Sequence, residues 1–289
     1  MKTERTPLFC DADLAQRIEL AESKLIEATA LAAHRRLGNG RGFVIPIAGG
    51  LASFADDDSP FNKVVGLGFG GVPTTGELDE IEHAYAAMGT PVQVELPHLA
   101  DPGIGIALSR RGYELESFEN VLGITIRNAV DNRYDATLPD GIEIRPSGDQ
   151  ELDVWLNVMA DAVAVPDTQG VPWREEFPRD TYIEAERDAA AADIRRYIAL
   201  LNGEIAGGAG LRTADDIAQF AGAATLPAHR RHGIQSALLF TRLSDAAVAG
   251  CDVGVITTQP ASKSQQNAER SGFTLLYTRA VLVKHLDAT

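Results

Sequence analysis

The sequence predicts an α/β (α+β) protein built from two successive, similar halves. Three observations carry this. Strand-like and helix-like stretches alternate along the chain, a pattern that stacks sheets and helices in layers. The order of elements in the first half recurs in the second, with landmarks matching at a shift of about 160 residues: Gly89 with Gly250, Arg110 with Arg270, Gly112 with Gly272 and Tyr113 with Phe273. At 289 residues, 45% apolar and 23% charged, the chain is long enough for two ordinary domains and has the composition of packed ones.

In order, residues 11–37 read as a long helix, with Leu14, Ile18, Leu25, Ala28 and Ala32 at helical spacing and a Gly-Asn-Gly stop after it. Residues 42–48 and 49–54 read as two short strands or one bent strand, and residues 64–69 as another. Thr74 and Glu77 have the spacing of a capping box before a helix over 78–88, which Gly89 closes. A strand over 92–96 follows, with Gln93 and Glu95 on its polar face. A short helix over 104–110 comes next, then a strand from Gly112 to residue 126. The second half reads as a strand over 141–145, a helix over 152–163, and strands over 194–201, 204–211 and 217–226. A helix ending at Gly250, a strand over 253–258, a helix over 264–270 and a last strand running toward 283 complete it. The polar stretch 131–140 is the expected boundary, dividing the chain into domains 1–134 and 138–289.

Composition excludes several classes of function. No apolar run approaches the ~20 residues a membrane-spanning helix needs. The start of the chain lacks a signal-peptide apolar core, so a cytoplasmic protein is expected. Cys10 and Cys251 are too far apart in sequence for a metal or redox motif, and the six histidines form no ligand pair, so no metal is expected. The acids Asp56, Asp57 and Asp58 read as a solvated turn, because the further spaced oxygen ligands of a calcium loop are missing. A net charge of −15 disfavours nucleic acid and acidic membranes as partners.

Against that acidity, one local stretch is basic. A strand ends near Pro227, the loop runs through Arg230, Arg231, His232 and Gly233, and a helix begins with Leu239, Leu243 and Ala246 on one stripe. A helix start offers backbone N–H groups without internal partners and the positive end of the helix dipole. Gly233 permits close approach, and the arginines add charge, so the turn suits a phosphate or pyrophosphate.

This loop resembles the acyl-CoA pyrophosphate loop of the GNAT acyltransferase superfamily, whose pattern is Arg or Gln, two residues, Gly, one residue, then Gly or Ala. Arg230 and Gly233 fit that pattern, while Gln235 stands where the final small residue belongs. The segment 267–273 (NAERSGF) resembles the family's closing helix and the Gly-Phe that opens its next strand. The resemblance implies two tandem GNAT-like domains, each a mixed twisted sheet flanked by helices and splayed between its central strands. The first copy lacks the basic loop.

It further implies an acyl-CoA-dependent N-acyltransferase, moving acetyl from acetyl-CoA to the amine of a small molecule by direct attack in a ternary complex. The alternative is a non-catalytic acyl-CoA-binding sensor or scaffold; under either reading the protein is a monomer or a homodimer. The implied coenzyme contacts are Ala223, Ala224 and Thr225 on the strand, Arg230, Arg231, His232, Gly233, Ile234, Gln235 and Ser236 at the loop, and Asn267. The family's usual general acid, a tyrosine four residues before the Gly-Phe, is Ala268 here; Ser264, a water or Tyr277 would take its place. Asp215, Asp216 and Gln219 are open as the base. Trp155, Trp173, Phe177 and Tyr182, with Glu175 and Glu176, fall where relatives form the acceptor pocket, although core packing is the commoner fate of a tryptophan.

Overall fold

The computed structural model describes residues 8–38, 40–127, 138–165, 171 and 177–286. The chain forms two compact units that are discontinuous in sequence. The amino-terminal unit comprises Cys10–Asn120, Asp180–Ala192 and Tyr277–Thr289; the carboxy-terminal unit comprises Met1–Phe9, Val121–Arg179 and Asp193–Leu276.

In the amino-terminal unit, helix α1 (Ala12–Leu37) is capped by the Asp11 carboxylate, which accepts from the Leu14 N–H, and ends at Gly38 in the left-handed region. Strands β1 (Phe43–Ile47) and β2 (Gly50–Phe54) form a hairpin. Its two turn residues, Ala48 and Gly49, both have positive φ, the requirement of a tight primed turn. β3 is shorter than the periodicity suggests, Lys63–Val65 only. Gly66 (φ +74) and Gly68 (φ +126) turn the chain away, and a Cβ on Gly66 would meet Ser23 Oγ at 2.1 Å.

Helix α2 (Thr75–Met88), β4 (Val92–Pro97) and α3 (Pro102–Arg110) follow, then β5 (Glu114–Thr125). β4 pairs parallel with β3 and antiparallel with the carboxyl-terminal strand β12 (Thr274–Lys284), in register Val94 with Leu282. Ile47, Val64, Ile81, Tyr85, Val94 and Leu108 pack with Leu282 as this unit's core.

In the carboxy-terminal unit, β6 (Ile142–Pro146), α4 (Leu152–Val163), β7 (Arg195–Leu201) and β8 (Glu204–Ala214) lead into two short strands, β9 (Ile217–Gln219) and β10 (Ala223–Thr225). Helix α6 (Ile234–Val248), β11 (Val253–Thr258) and α7 (Lys263–Arg270) complete it. The sheet is mixed: β6 to β9 pair antiparallel in sequence order, and β11 pairs parallel with β9. Leu122, Tyr197, Ala209, Phe220, Leu238, Leu243 and Phe273 form its core, with the Phe220 and Phe273 rings edge to face at 5.8 Å.

Two expectations change. The segment expected as one strand over 217–226 is two strands, separated at 220–222. Helix α5 (Arg179–Ala190) occupies sequence that its periodicity did not reveal, and residues 180–190 of it belong to the amino-terminal unit. The expected boundary falls partly on residues 131–137, which lie outside the described residues.

Candidate functional site: the β10–α6 turn

The gap between β9 and β10 opens the sheet. Parallel pairing with β11 ends where the Phe220 N–H donates to Val255 O at 3.0 Å. Beyond it, β10 pairs only with β8 among the described residues. The bulge at Ala221 and Gly222 is held from below by Arg242 of α6, which is 3% exposed. Its Nη1 donates to Gly210 O at 2.8 Å and Ala221 O at 3.4 Å, its Nε donates to Leu238 O at 3.2 Å, and its guanidinium lies over the Phe220 ring. Burial against backbone carbonyls pulls Arg242 down to about 10.

The ladder decides which backbone groups face the opening. Gly210 N–H donates to Gly222 O and Leu226 N–H to Ala206 O, so the hydrogen-bonded pairs are 222 with 210, 224 with 208 and 226 with 206. Ala223 and Thr225 therefore turn their N–H and C=O groups away from β8, toward the splay. Ala224 faces β8.

The loop that follows is open at the helix start. Arg231 (φ +67) and Gly233 (φ +87) are left-handed, and Gly233 caps α6 with no side-chain hydrogen bond. Ala237 N–H makes the first helical bond, to Gly233 O; among the described residues the N–H groups of Ile234, Gln235 and Ser236 have no protein acceptor. Arg231, His232, Gly233 and Ser236 are exposed, with a His232 ring nitrogen 3.2 Å from His229 O. These features suit an anion such as a diphosphate. The arrangement of Arg230 and Gln235 is different: both side chains turn inward. Arg230 donates to Thr225 O, Ala162 O and Val165 O, and Gln235 Nε2 donates to Thr225 Oγ1 at 2.9 Å.

The corresponding helix of the first half is closed. Glu77 N–H donates to Thr74 Oγ1 at 3.2 Å, and the Glu77 carboxylate accepts from Thr74 N–H at 2.8 Å and from its hydroxyl at 2.7 Å. The glycines before it hold packing contacts: a Cβ on Gly70 would lie 2.3 Å from Ala48 O, and one on Gly68 would lie 2.5 Å from the Ala100 Cβ.

Other residues singled out in the sequence fall in varied places. Ser264 is exposed in the first turn of α7, Asn267 is half-buried one turn on, and Ala268 is buried in the core beside Phe273. Tyr277 belongs to the amino-terminal unit, buried, its hydroxyl donating to Glu19 Oε1 at 2.7 Å. Asp215 and Asp216 form the β8–β9 turn, roughly 30 Å of extended chain from Thr225, and Gln219 accepts from Arg212 Nη1. Trp155 is a core residue whose Nε1–H donates to Tyr197 O at 3.0 Å. Phe177 is half-buried and Tyr182 lies in the amino-terminal unit; Trp173, Glu175 and Glu176 lie outside the described residues. Arg242 and the inward turn of Gln235 had no sequence signal, since both depend on what the helix packs against.

The splayed strand and the open helix start lie in a mixed α/β fold whose strand–helix order repeats along the chain. Residues 162–273 match the acetyltransferase (GNAT) family. The chain is similar in fold to a GCN5-related N-acetyltransferase from Kribbella flavida (TM-score 0.62, 19% identity, covering 89% of this chain and 95% of that one). It is also similar in fold to a tandem GNAT protein from the clavulanic acid biosynthesis pathway (TM-score 0.62, 12% identity, 98% of each chain). A GCN5-related N-acetyltransferase from Sphaerobacter thermophilus is similar over 74% of this chain and 69% of that one (TM-score 0.52, 14% identity). No curated protein matches the sequence. Among the described residues no helix is long and apolar enough to cross a membrane, and no group of acidic, histidine or cysteine side chains is arranged to hold a metal.

Proposed function

We propose that the second half, residues 138–289, is an acyl-CoA-dependent N-acyltransferase that passes acetyl from acetyl-CoA to the amine of a small molecule by direct attack in a ternary complex. Residues 1–134 are in this reading a degenerate copy that binds no coenzyme at the equivalent turn. One contrast carries the proposal: among the described residues α6 starts without a side-chain cap and beside an exposed arginine, whereas α2 starts with a capping box that places the Glu77 carboxylate in its first turn.

The backbone of residues 231–236 holds the diphosphate, and Asn267 is the adenosine or pantetheine contact. Acetyl-CoA supplies the activated thioester. The N–H groups of Ala223 and Thr225, which face the splay, are placed to donate to a thioester oxygen as charge builds there, with no reorganisation needed at that moment. Ser264 is the candidate to deliver a proton to the departing thiolate. A thiol is acidic enough that its departure does not demand a strong acid.

Millimolar acetyl-CoA is expected to raise the melting temperature. A screen of thiol release against amines, amino acids, aminoglycosides and polyamines would find the acceptor. No thermal shift with acetyl-CoA would sink the proposal. A sensor without turnover is the second reading, favoured by the core position of Ala268; it expects the shift but no thiol release with any amine.

A further inference from the structure

In an anion-binding loop, the side chains of the motif arginine and its neighbours are expected to reach for the ligand. Here two of them reach the other way, and onto the same residue. Gln235, in the first turn of α6, donates through Nε2 to the Thr225 hydroxyl at 2.9 Å. Arg230 donates through Nε to the Thr225 carbonyl at 3.2 Å. Thr225 is 7% exposed, and its N–H faces the splay because the hydrogen-bonded positions of the ladder are 224 and 226, while Thr225 lies opposite Gly207 at a non-hydrogen-bonded position. Three parts of Thr225 are thereby fixed: its hydroxyl by Gln235, its carbonyl by Arg230, and its register by Gly207.

Arg230 also ties in a third segment. Its Nη2 donates to Ala162 O at 3.0 Å and to Val165 O, at the carboxyl end of α4. A guanidinium there satisfies carbonyls left over by the helix and lies at the negative end of its dipole. A Lys ammonium at this position lacks the planar fork that serves separate carbonyls.

We infer that Gln235 and Arg230 are positioning residues: they hold Thr225 so that its N–H is aimed into the splay, and they leave the grip on a diphosphate to the backbone of residues 231–236. This rests on the coenzyme reading above and adds a division of labour to it. The two side chains govern the part of the ligand lying along β10, the pantetheine and thioester. They do not govern the nucleotide end. Gln235 in place of a small residue is then an added strut between α6 and β10.

The test compares two probes by calorimetric titration: acetyl-CoA, and its nucleotide fragment 3′-phospho-ADP, which lacks pantetheine. The full-length protein is used with Gln235→Ala, Thr225→Val, and both together. Each single variant is expected to weaken acetyl-CoA about three- to tenfold, the scale of one net hydrogen bond, while the fragment changes by less than about twofold. The double variant loses no more than either single, because one hydrogen bond is removed once. Arg230→Gln should show the same split between probes.

Equal losses for both probes would make these side chains diphosphate ligands and overturn the inference, as would no loss for either or fully additive losses. Wild-type protein that binds neither probe overturns the coenzyme reading itself. Wild-type protein that binds acetyl-CoA but not the fragment removes the diphosphate from the loop, and the inference with it. Thr225→Val is nearly isosteric, so it reports even if Arg230→Gln does not fold.

Discussion

The Glu77 carboxylate accepts from both the N–H and the hydroxyl of Thr74, so the first turn of α2 carries its own negative charge. These bonds hold the Glu77 carboxyl below its ordinary range. At the matching point of the second half, Gly233 leaves α6 without a side-chain cap. One helix start is finished locally. The other has no side-chain cap among the described residues.

Gly233→Val should abolish the thermal shift given by acetyl-CoA. The residue sits at φ +87, where a branched side chain is strained by about 1–3 kcal/mol, and its Cβ would lie 3.4 Å from Pro139 Cγ. Thr74→Ala in the first half should cost about 1 kcal/mol of stability and leave the acetyl-CoA shift unchanged. A shift lost in Thr74→Ala but kept in Gly233→Val would move the site to the other half.

Ser264→Ala is expected to lower kcat for the acceptor found in the screen by about tenfold or more, with KM for acetyl-CoA within about twofold. The hydroxyl is exposed in the first turn of α7, and the Ala268 side chain behind it is buried away from the surface. Steady-state kinetics with unchanged kcat would leave the thiolate to be protonated by solvent.

Stability should fall as pH rises from about 5 to 8. Burial on β5, with Glu95 and Glu22 nearby, pushes the Glu119 carboxyl up to about 8, against the opposing pull of Lys63 and Arg279. Burial likewise pushes Glu186 up to about 7. A carboxyl with a raised folded value keeps its proton in the native state after the unfolded chain has lost it. The native state therefore binds more protons across that window, and stability declines with pH until the native group also ionises. Glu119→Gln should be more stable than wild type at pH 8, with the difference closing toward pH 5. Melting curves of the two proteins that stay parallel across this range would show that Glu119 titrates normally.

Arg279→Met should destabilise the amino-terminal unit by roughly 3–5 kcal/mol, measured by denaturant unfolding. Arg279 is 1% exposed, with Nε 2.8 Å from Glu19 Oε1 and Nη1 3.4 Å from Glu95 Oε2. Its loss strands Glu19, which is also 1% exposed. Adding Glu19→Gln to Arg279→Met should recover part of the stability. A double variant no better than the single would place the cost in lost packing.

Much of the fold is legible in residues close together in the chain. Helix α1 follows from its apolar stripe and Asp11 cap, the start of α2 from the Thr74 and Glu77 spacing, and the repeated landmarks from glycines that need positive φ. Gly89 and Gly250 have φ +71 and +84, and Gly112 and Gly272 have φ +83 and +96. Helix α5 is not legible in its sequence, RDTYIEAERDAA, which is too charged to show an apolar stripe. Within the candidate site, the loop and the unguarded Gly233 were readable. The inward turn of Gln235 and the core burial of Trp155 and Ala268 were not, since a sequence does not say which side of a helix meets a neighbour.

By itself the sequence determined many local units of this protein: where most helices start and stop, where glycine is required, and which helix start lacks a capping side chain. These depend on sterics and hydrogen bonds spanning a few residues. Only the tertiary structure decided that 217–226 breaks into two strands over the Arg242 side chain. It alone revealed that residues 279–284 pair with β4, and that Tyr277 donates to Glu19. Those outcomes depend on strand pairing and on buried charges finding partners far along the chain, and no short stretch of sequence contains both partners.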